Sequence, residues 1–336
     1  MEVSVIQEIA QIQMGKPHVV ILGAGASRAA FPKGDKNGLR LPLMDDFVEV
    51  LGLEHLLCQT GIDFNTVNFE KVYDQLYQKG TYQEIIDELE KVIYGYFSRL
   101  EITDEPTIYD HLLLSMREKD IVATFNWDPF LLQAYRRNAQ EFKLPKLLFL
   151  HGNVDIGYCE NDKVMGVNGN KCTKCDIGFT PTKLLYPISE KNYHLNSFIS
   201  SQWQELSKHL KNAFMITIFG YGAPRSDASA IDLMKSAWGG VNKKVMAQTE
   251  IIDKRSEDDL CDTWEPFIHS HHYEIHSSFY ESWIANHPRR TGEAYINQYW
   301  NAQFITNNPI PEKFSFTDLW AWFKPLKQVE NGNKNT

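Results

Sequence analysis

Val19-Val20-Ile21-Leu22-Gly23-Ala24-Gly25-Ala26-Ser27-Arg28 is the stretch whose reading decides the fold. Four aliphatic residues in a row predict a strand buried on both faces, as in a parallel sheet. The Gly-x-Gly that follows predicts a tight turn into a helix opening near Ser27. Gly23 has the dihedral freedom that a sharp strand-to-helix turn needs, and Gly25 lacks a side chain that would hold a diphosphate away from the amide N–H groups. The third glycine of a dinucleotide fingerprint is absent, because Arg28 stands three residues after Gly25. Taken alone, the stretch fits a nucleotide-binding turn and a plain strand-to-helix turn equally.

Upstream, Val3, Val5, Ile6, Ile9, Ala10 and Ile12 have helical spacing, ended by Gly15-Lys16-Pro17. Downstream, residues 31–43 are rich in Gly, Pro, Lys and Asp and predict a flexible loop across the mouth of the site. Residues 44–118 read as helix throughout, with apolar groups such as Ile85, Ile86, Leu89, Val92 and Ile93, and form a helical module inserted into the sheet. The sheet then resumes in four apolar runs. Residues 121–125 end in Asn126-Trp127-Asp128-Pro129, and residues 147–150 end in His151-Gly152. Residues 214–219 end in Gly220-Tyr221-Gly222, and residues 250–252 end in Asp253. In open α/β sheets ligands bind beyond the carboxyl ends of the strands, so five strand ends supply one polar constellation.

With 43% hydrophobic residues in 336, the chain can bury the core of an α/β domain carrying insertions. A net charge of -9 argues against a broad nucleic-acid surface, which needs clustered Lys and Arg. Neither a secretory apolar segment nor a membrane-length apolar run occurs, so a cytoplasmic protein without membrane contact is expected. Of the five cysteines, Cys159 with Asp162 and Cys172 with Cys175 form Cys-x-x-Asp and Cys-x-x-Cys pairs in a second insert, residues 153–190. Such a pattern points to metal or redox chemistry before disulfides, and four ligands on two knuckles fit zinc as well as a metal-free insert. Cys58 and Cys261 read as core residues. Five of the eight tryptophans, Trp264, Trp283, Trp300, Trp320 and Trp322, lie beyond Cys261 and predict a helical aromatic layer or a subunit interface.

The ordered motifs Gly23-Ala24-Gly25-Ala26-Ser27, Thr124-Phe125-Asn126-Trp127-Asp128, His151-Gly152, Gly220-Tyr221-Gly222 and Asp253 resemble those of the sirtuin superfamily. The likeness is to its bacterial defence-associated branch of NAD-hydrolysing enzymes and covers residues 17–255. It implies that Asn126 orients a water or ribose hydroxyl, that Asp128 holds the nicotinamide carboxamide, and that His151 is a base titrating near neutral pH. It also implies NAD binding by Gly23, Ala24, Gly25, Ala26, Ser27, Gly220, Tyr221, Gly222 and Asp253, and zinc (Zn2+) held by Cys159, Asp162, Cys172 and Cys175. The resemblance further implies an antiphage role in abortive infection. There, homo-oligomerisation or a partner defence protein, such as a DNA-translocase-type ATPase, would gate the activity.

The chain departs from sirtuin deacylases at three places. They carry Gln-Asn-Ile-Asp where Phe125-Asn126-Trp127-Asp128 stands and Gly-Thr-Ser where Gly220-Tyr221-Gly222 stands. They also have a Phe-Gly-Glu segment for acyl-lysine peptides that Leu184-Leu185-Tyr186-Pro187 lacks. A deacylase, or a non-catalytic subunit binding NAD or ADP-ribose, is the alternative. Plain roles compete for single residues: an Asx-type turn and helix cap for Asn126 and Asp128, a backbone-satisfied histidine at 151, and an N-cap for Ser27. Likewise, Asp253 fits a turn aspartate and Asp227 a helix start.

The expected architecture is α/β, a Rossmann-like parallel sheet with an inserted helical module, a small Cys-containing insert and a helical C-terminal layer. Residues 1–258 form the NAD-binding domain, with inserts at about 44–118 and 153–190. Residues 259–327 form the C-terminal layer and 328–336 a disordered tail.

Overall fold

Six strands form one parallel sheet in the computed structural model, which describes residues 2–189, 191–268 and 272–332. They are β1 (His18–Leu22), β2 (Ile121–Thr124), β3 (Lys146–Phe149), β4 (Met215–Phe219), β5 (Gln248–Ile252) and β6 (Tyr273–His276). The spatial order is β3-β2-β1-β4-β5-β6, so the chain winds outward from β1 to one edge and then returns to β1's other side. That is the doubly wound order of dinucleotide-binding folds, and its switch point lies between β1 and β4. In register, Leu22 pairs with Thr124 on one side and Phe219 on the other. The strand ends that carry Gly23, Phe125 and Gly220 therefore emerge side by side.

Helices connect the strands: α1 (Ala24–Ala30), α2 (Phe69–Lys79), α3 (Gln83–Phe97), α4 (Ile108–Ser115), α5 (Phe130–Asn138), α6 (Ser197–Asn212), α7 (Ala228–Trp238), α8 (Glu257–Trp264) and α9 (Phe316–Gly332). Between β1 and β2 no strand interrupts the described chain, and α2 to α4 are the longest helices of the insert. Asn68 accepts from Lys71 N–H to start α2, and Gly80, in the left-handed region, ends it. Its apolar face, Phe69, Val72, Tyr73 and Leu76, is buried. Phe47 stacks on Phe69 at 4.4 Å and meets Trp127 edge-on, which docks the insert onto the residues following β2. The Cys-containing insert folds as a three-stranded antiparallel sheet of Ile156–Cys159, Val164–Val167 and Thr180–Pro181.

Several expectations need correction. The region beyond Cys261 is not wholly helical. It returns β6 to the sheet edge, so the sheet has six strands and continues past residue 258. The helix near the N-terminus spans only Val5–Ala10 and is preceded by Glu2–Val3, which pairs with Phe304–Ile305. The helix after β1 opens at Ala24 with Gly23 as its cap, so Ser27 lies inside it and is no cap. Residues 328–332, expected in a disordered tail, continue α9; Glu330 is held there by Arg289 and Arg290. Residues 333–336 lie outside the described residues. Cys58 is exposed at the end of a short helix. The loop 31–43 is anchored by the buried Asp35, whose carboxylate accepts from the N–H groups of Asn37, Leu39 and Glu101. Among the described residues no helix is long and apolar enough to cross a membrane.

Candidate functional site at the switch point

The turn after β1 and the turn after β4 are pressed together. Gly23 N–H donates to Phe219 O and Gly25 N–H to Gly220 O. A Cβ on Gly23 would lie 2.5 Å from Tyr221 Cα, and one on Gly25 would lie 2.8 Å from Gly220 Cα. Both glycines are thus required by backbone packing between the two turns. This is a different reason from the diphosphate approach that their spacing suggested. The expected binding residues Ala24 and Ala26 flank Gly25 in α1; Gly222 has open space around its Cα.

On this frame the structure assembles a buried polar knot. Ser27 Oγ lies 2.6 Å from Asp128 Oδ2 and 2.6 Å from Tyr109 OH. Asn126 Nδ2 donates to Gly23 O at 2.9 Å and to Ser27 Oγ at 2.9 Å. Gly23 O can only accept, which fixes the amide orientation, with Nδ2 inward. No partner among the described residues takes Asn126 Oδ1, so the amide is anchored by its nitrogen with its oxygen available as an acceptor. Asn153 Nδ2 donates to the main-chain oxygens of Asp128 and Asn126, closing the turn from below. Asp128 is not a helix cap in the expected sense; the α5 start is marked by Pro129, and Phe130 N–H reaches Asp128 Oδ1 at 3.3 Å.

Burial pushes the Asp128 carboxyl up to about 6, with the Ser27 hydroxyl opposing it. A carboxyl raised in the folded state stabilises the protein below its ordinary value near 3.8, and the contribution is lost as pH rises through about 6. Asp128→Asn mimics the neutral form. It is therefore expected to stabilise the fold by about 1–2 kcal/mol at pH 8 and by almost nothing near pH 4. Urea denaturation at both pH values checks this.

A second group stands at the ends of β3 and β4. His151 Nε2 lies 3.2 Å from Tyr193 OH and 3.7 Å from Asp227 Oδ1. Asp227 also accepts from Tyr221 OH at 2.8 Å and pairs with the buried Lys191 ammonium. Burial alone would raise the Asp227 carboxyl, but His151 and Lys191 facing it hold it below its usual range. Burial lowers His151 to about 3, with Asp227 opposing. The expectation that His151 titrates near neutral pH is therefore corrected: its ring is neutral across the physiological range. Phe125 stacks on Tyr221 at 4.1 Å and meets His151 edge-on at 4.7 Å, filling the space between the two groups. Lys191 and Tyr193 also line a cavity of about 570 Å³ together with His194, Ser229 and Asp232.

Asp253 stands apart, at the end of β5. Its carboxylate accepts from Arg255 N–H and pairs with the Arg255 guanidinium, which is the turn arrangement. Tyr109, Lys191, Tyr193 and Asn153 were not found from the sequence. Asp227, read as a helix start, precedes α7 without capping it through its side chain.

In the Cys-containing insert, Cys159, Asp162, Cys172 and Cys175 place four donor atoms within 4.8 Å of one another. Cys159 Sγ lies 3.5 Å from Cys175 Sγ and 3.5 Å from Asp162 Oδ2, and Cys172 Sγ lies 3.2 Å from the same oxygen. A tetrahedral zinc ion with bonds of about 2.0–2.3 Å separates its ligands by about 3.3–3.8 Å, so the donors fit. All the cysteines are free.

No family model and no curated protein matches the chain. Its solved structural neighbours include a Sir2 homologue in complex with NAD, at 13% identity and a TM-score of 0.40, covering 98% of this chain and 93% of that one. A Sir2 enzyme structure matches at 12% identity and 0.40 over 97% and 96%. Sir2 bound to an acetylated peptide matches at 12% and 0.39 over 88% and 97%. Likenesses this distant leave the strand order itself as the ground for the fold.

Proposed function

We propose that this chain hydrolyses NAD at the bond between ribose and nicotinamide, releasing nicotinamide and ADP-ribose, at the carboxyl ends of β1 to β4. The observation that carries the reading is the anchored Asn126 amide beside Ser27 and Asp128, with His151 and Asp227 grouped at the ends of the neighbouring strands. Nicotinamide leaves a pyridinium ribose as a neutral molecule, so no strong general acid is needed. The site has to orient the leaving group, stabilise an oxocarbenium-like carbon and hold a water for attack. Asn126 Oδ1 accepts from that water or from a ribose hydroxyl, and Asp128 holds the carboxamide. His151, neutral throughout, accepts a hydrogen bond from a ribose hydroxyl or the water. Oligomer or partner gating and an antiphage role rest on the resemblance of the sequence motifs.

A non-catalytic subunit binding NAD or ADP-ribose is the second reading, favoured by one observation: burial lowers His151 to about 3, which leaves it a weak base near neutral pH. Asn126→Ala separates the two. Hydrolysis predicts that nicotinamide release disappears while NAD still binds by calorimetry. Binding without release in both proteins supports the second reading. Release unchanged in the variant contradicts the assignment of Asn126.

Zinc held by Cys159, Asp162, Cys172 and Cys175 belongs to the same proposal, as a structural ion that fixes the small antiparallel sheet. Cys172→Ser is expected to lose about one equivalent of zinc and to lower the melting temperature by several degrees. Metal analysis and thermal unfolding check both.

A further inference from the structure

A second group of metal-type donors lies away from the strand ends, in the middle of β5 and on β6. Glu250 pairs in register with Thr217 on one side and Glu274 on the other, so these side chains share a face of the sheet, and His276 follows two residues later on that face. His276 Nε2 lies 3.3 Å from Glu274 Oε2 and 3.5 Å from Glu250 Oε1, and the three donor atoms lie within 4.8 Å of one another. Although it sits between two carboxylates, His276 Nε2 is buried and makes no hydrogen bond. Gln248, on the same face two residues before Glu250, is fully buried, and its amide faces Glu274 without a well-formed hydrogen bond.

The remaining lone pairs of the carboxylates are already oriented. Glu250 Oε2 accepts from Thr217 Oγ1 at 2.7 Å, and its Oε1 accepts from Trp283 N–H at 2.5 Å. Glu274 Oε1 accepts from Tyr299 OH at 2.8 Å. Metal-binding carboxylates are oriented by such donors: Thr217 and Tyr299 take the oxygens turned away from His276, while Trp283 N–H shares Glu250 Oε1, the atom that faces it. The separations of 3.3 and 3.5 Å match those between nitrogen and oxygen ligands around an ion bound at about 2.1 Å. Glu250 is wholly buried, whereas Glu274 and His276 keep 27% and 19% side-chain exposure, so ion and water have a path from one side only.

We propose that Glu250, Glu274 and His276 bind a divalent transition-metal ion of the zinc class, with a fourth position left to water. One imidazole nitrogen and two carboxylate oxygens suit Zn2+ better than the oxygen-only preference of Ca2+ or Mg2+. The ion ties β5 and β6 to the C-terminal layer, because Trp283 and Tyr299 hold its ligands from that layer. This site is independent of the NAD reading and of the cysteine cluster.

The test uses the full chain, stripped by chelator dialysis and re-equilibrated with zinc alone, with metal content measured by mass spectrometry. Wild type is expected to retain about one equivalent more than His276→Gln and Glu274→Gln, and Cys172→Ser is expected to keep that equivalent. Glu274 is partly exposed, so its variant is a check should His276→Gln fold poorly. Cobalt gives a second readout on wild type alone, since thiolate ligands produce a near-ultraviolet charge-transfer band and Glu and His ligands do not. Cobalt bound beyond the amount that develops this band is expected. Equal zinc content in wild type and both variants, with all bound cobalt accounted for by the thiolate band, identifies an ion pair only and overturns the proposal.

Discussion

His151→Ala is expected to slow nicotinamide release from NAD by about 10²–10⁴-fold, the usual contribution of a positioned base or hydrogen-bonding partner. The ring is held by Tyr193 on one nitrogen and by Phe125 across its face, and Asp227 stands 3.7 Å away. Removing it leaves Asp227 with Lys191 and Tyr221 and Tyr193 OH without its imidazole, so the site keeps its charge and loses a hydrogen-bond acceptor. Because burial lowers the ring to about 3, His151 adds no break to the wild-type rate between pH 5 and 8; the break expected there, near 6, belongs to Asp128 and is lost in Asp128→Asn. A sigmoid centred near 6.5 in kcat/KM that persists in Asp128→Asn contradicts the buried neutral ring. His151→Gln separates role from packing: it keeps a hydrogen-bonding side chain without a base of the same strength, and an activity near wild type assigns His151 to positioning alone.

Gly220→Ala is expected to destabilise the fold by about 2–4 kcal/mol, whereas Gly222→Ala two residues later is expected to cost under about 0.5 kcal/mol. Gly220 has φ near +60°, and a Cβ there would lie 2.2 Å from Ala26 N and 2.4 Å from Gly25 C. Both are main-chain atoms and cannot swing aside. Left-handed strain contributes about 1–2 kcal/mol of the loss and displacement of the two turns the rest. Gly222 has nothing within 4 Å and no positive φ. The two turns also carry Asn126's anchor at Gly23 O, so Gly220→Ala should impair NAD turnover as well. Urea midpoints for the pair check the contrast, and equal losses at the two positions contradict the packed-turn account.

Most of the sheet is legible because β1, β2 and β4 run through its centre, where both faces are covered and the strand reads as an unbroken or nearly unbroken apolar run, whereas β5, Gln-Thr-Glu-Ile-Ile, shows only its apolar end. Edge strand β6 was not legible. Tyr-Glu-Ile-His alternates, with Glu274 and His276 turned into a polar seam, and nothing local separates that pattern from the polar turns around it. Asn126, Asp128 and Ser27 were found as strand-end polar residues, and the structure joins them directly. Tyr109 escaped notice because its partner atoms come from two other strand ends, while its helix α4 reads as core on every side. Lys191 and Tyr193 lie in a polar stretch without periodicity, and only the return of the chain over β4 brings them to Asp227. The helix opens earlier than its first polar side chain, Ser27, suggests, because three small residues after Gly23 already adopt helical geometry.

NAD hydrolysis at the switch point is tested most directly by product balance. The purified full chain is incubated with NAD and no acylated peptide, alone and with lysate from phage-infected cells, and nicotinamide and ADP-ribose are quantified over time. The account predicts equal amounts of the two products, rising together in at least one of these conditions and absent with Asn126→Ala. Saturable NAD binding with no release in either condition, or release only after an acylated peptide is added, contradicts it.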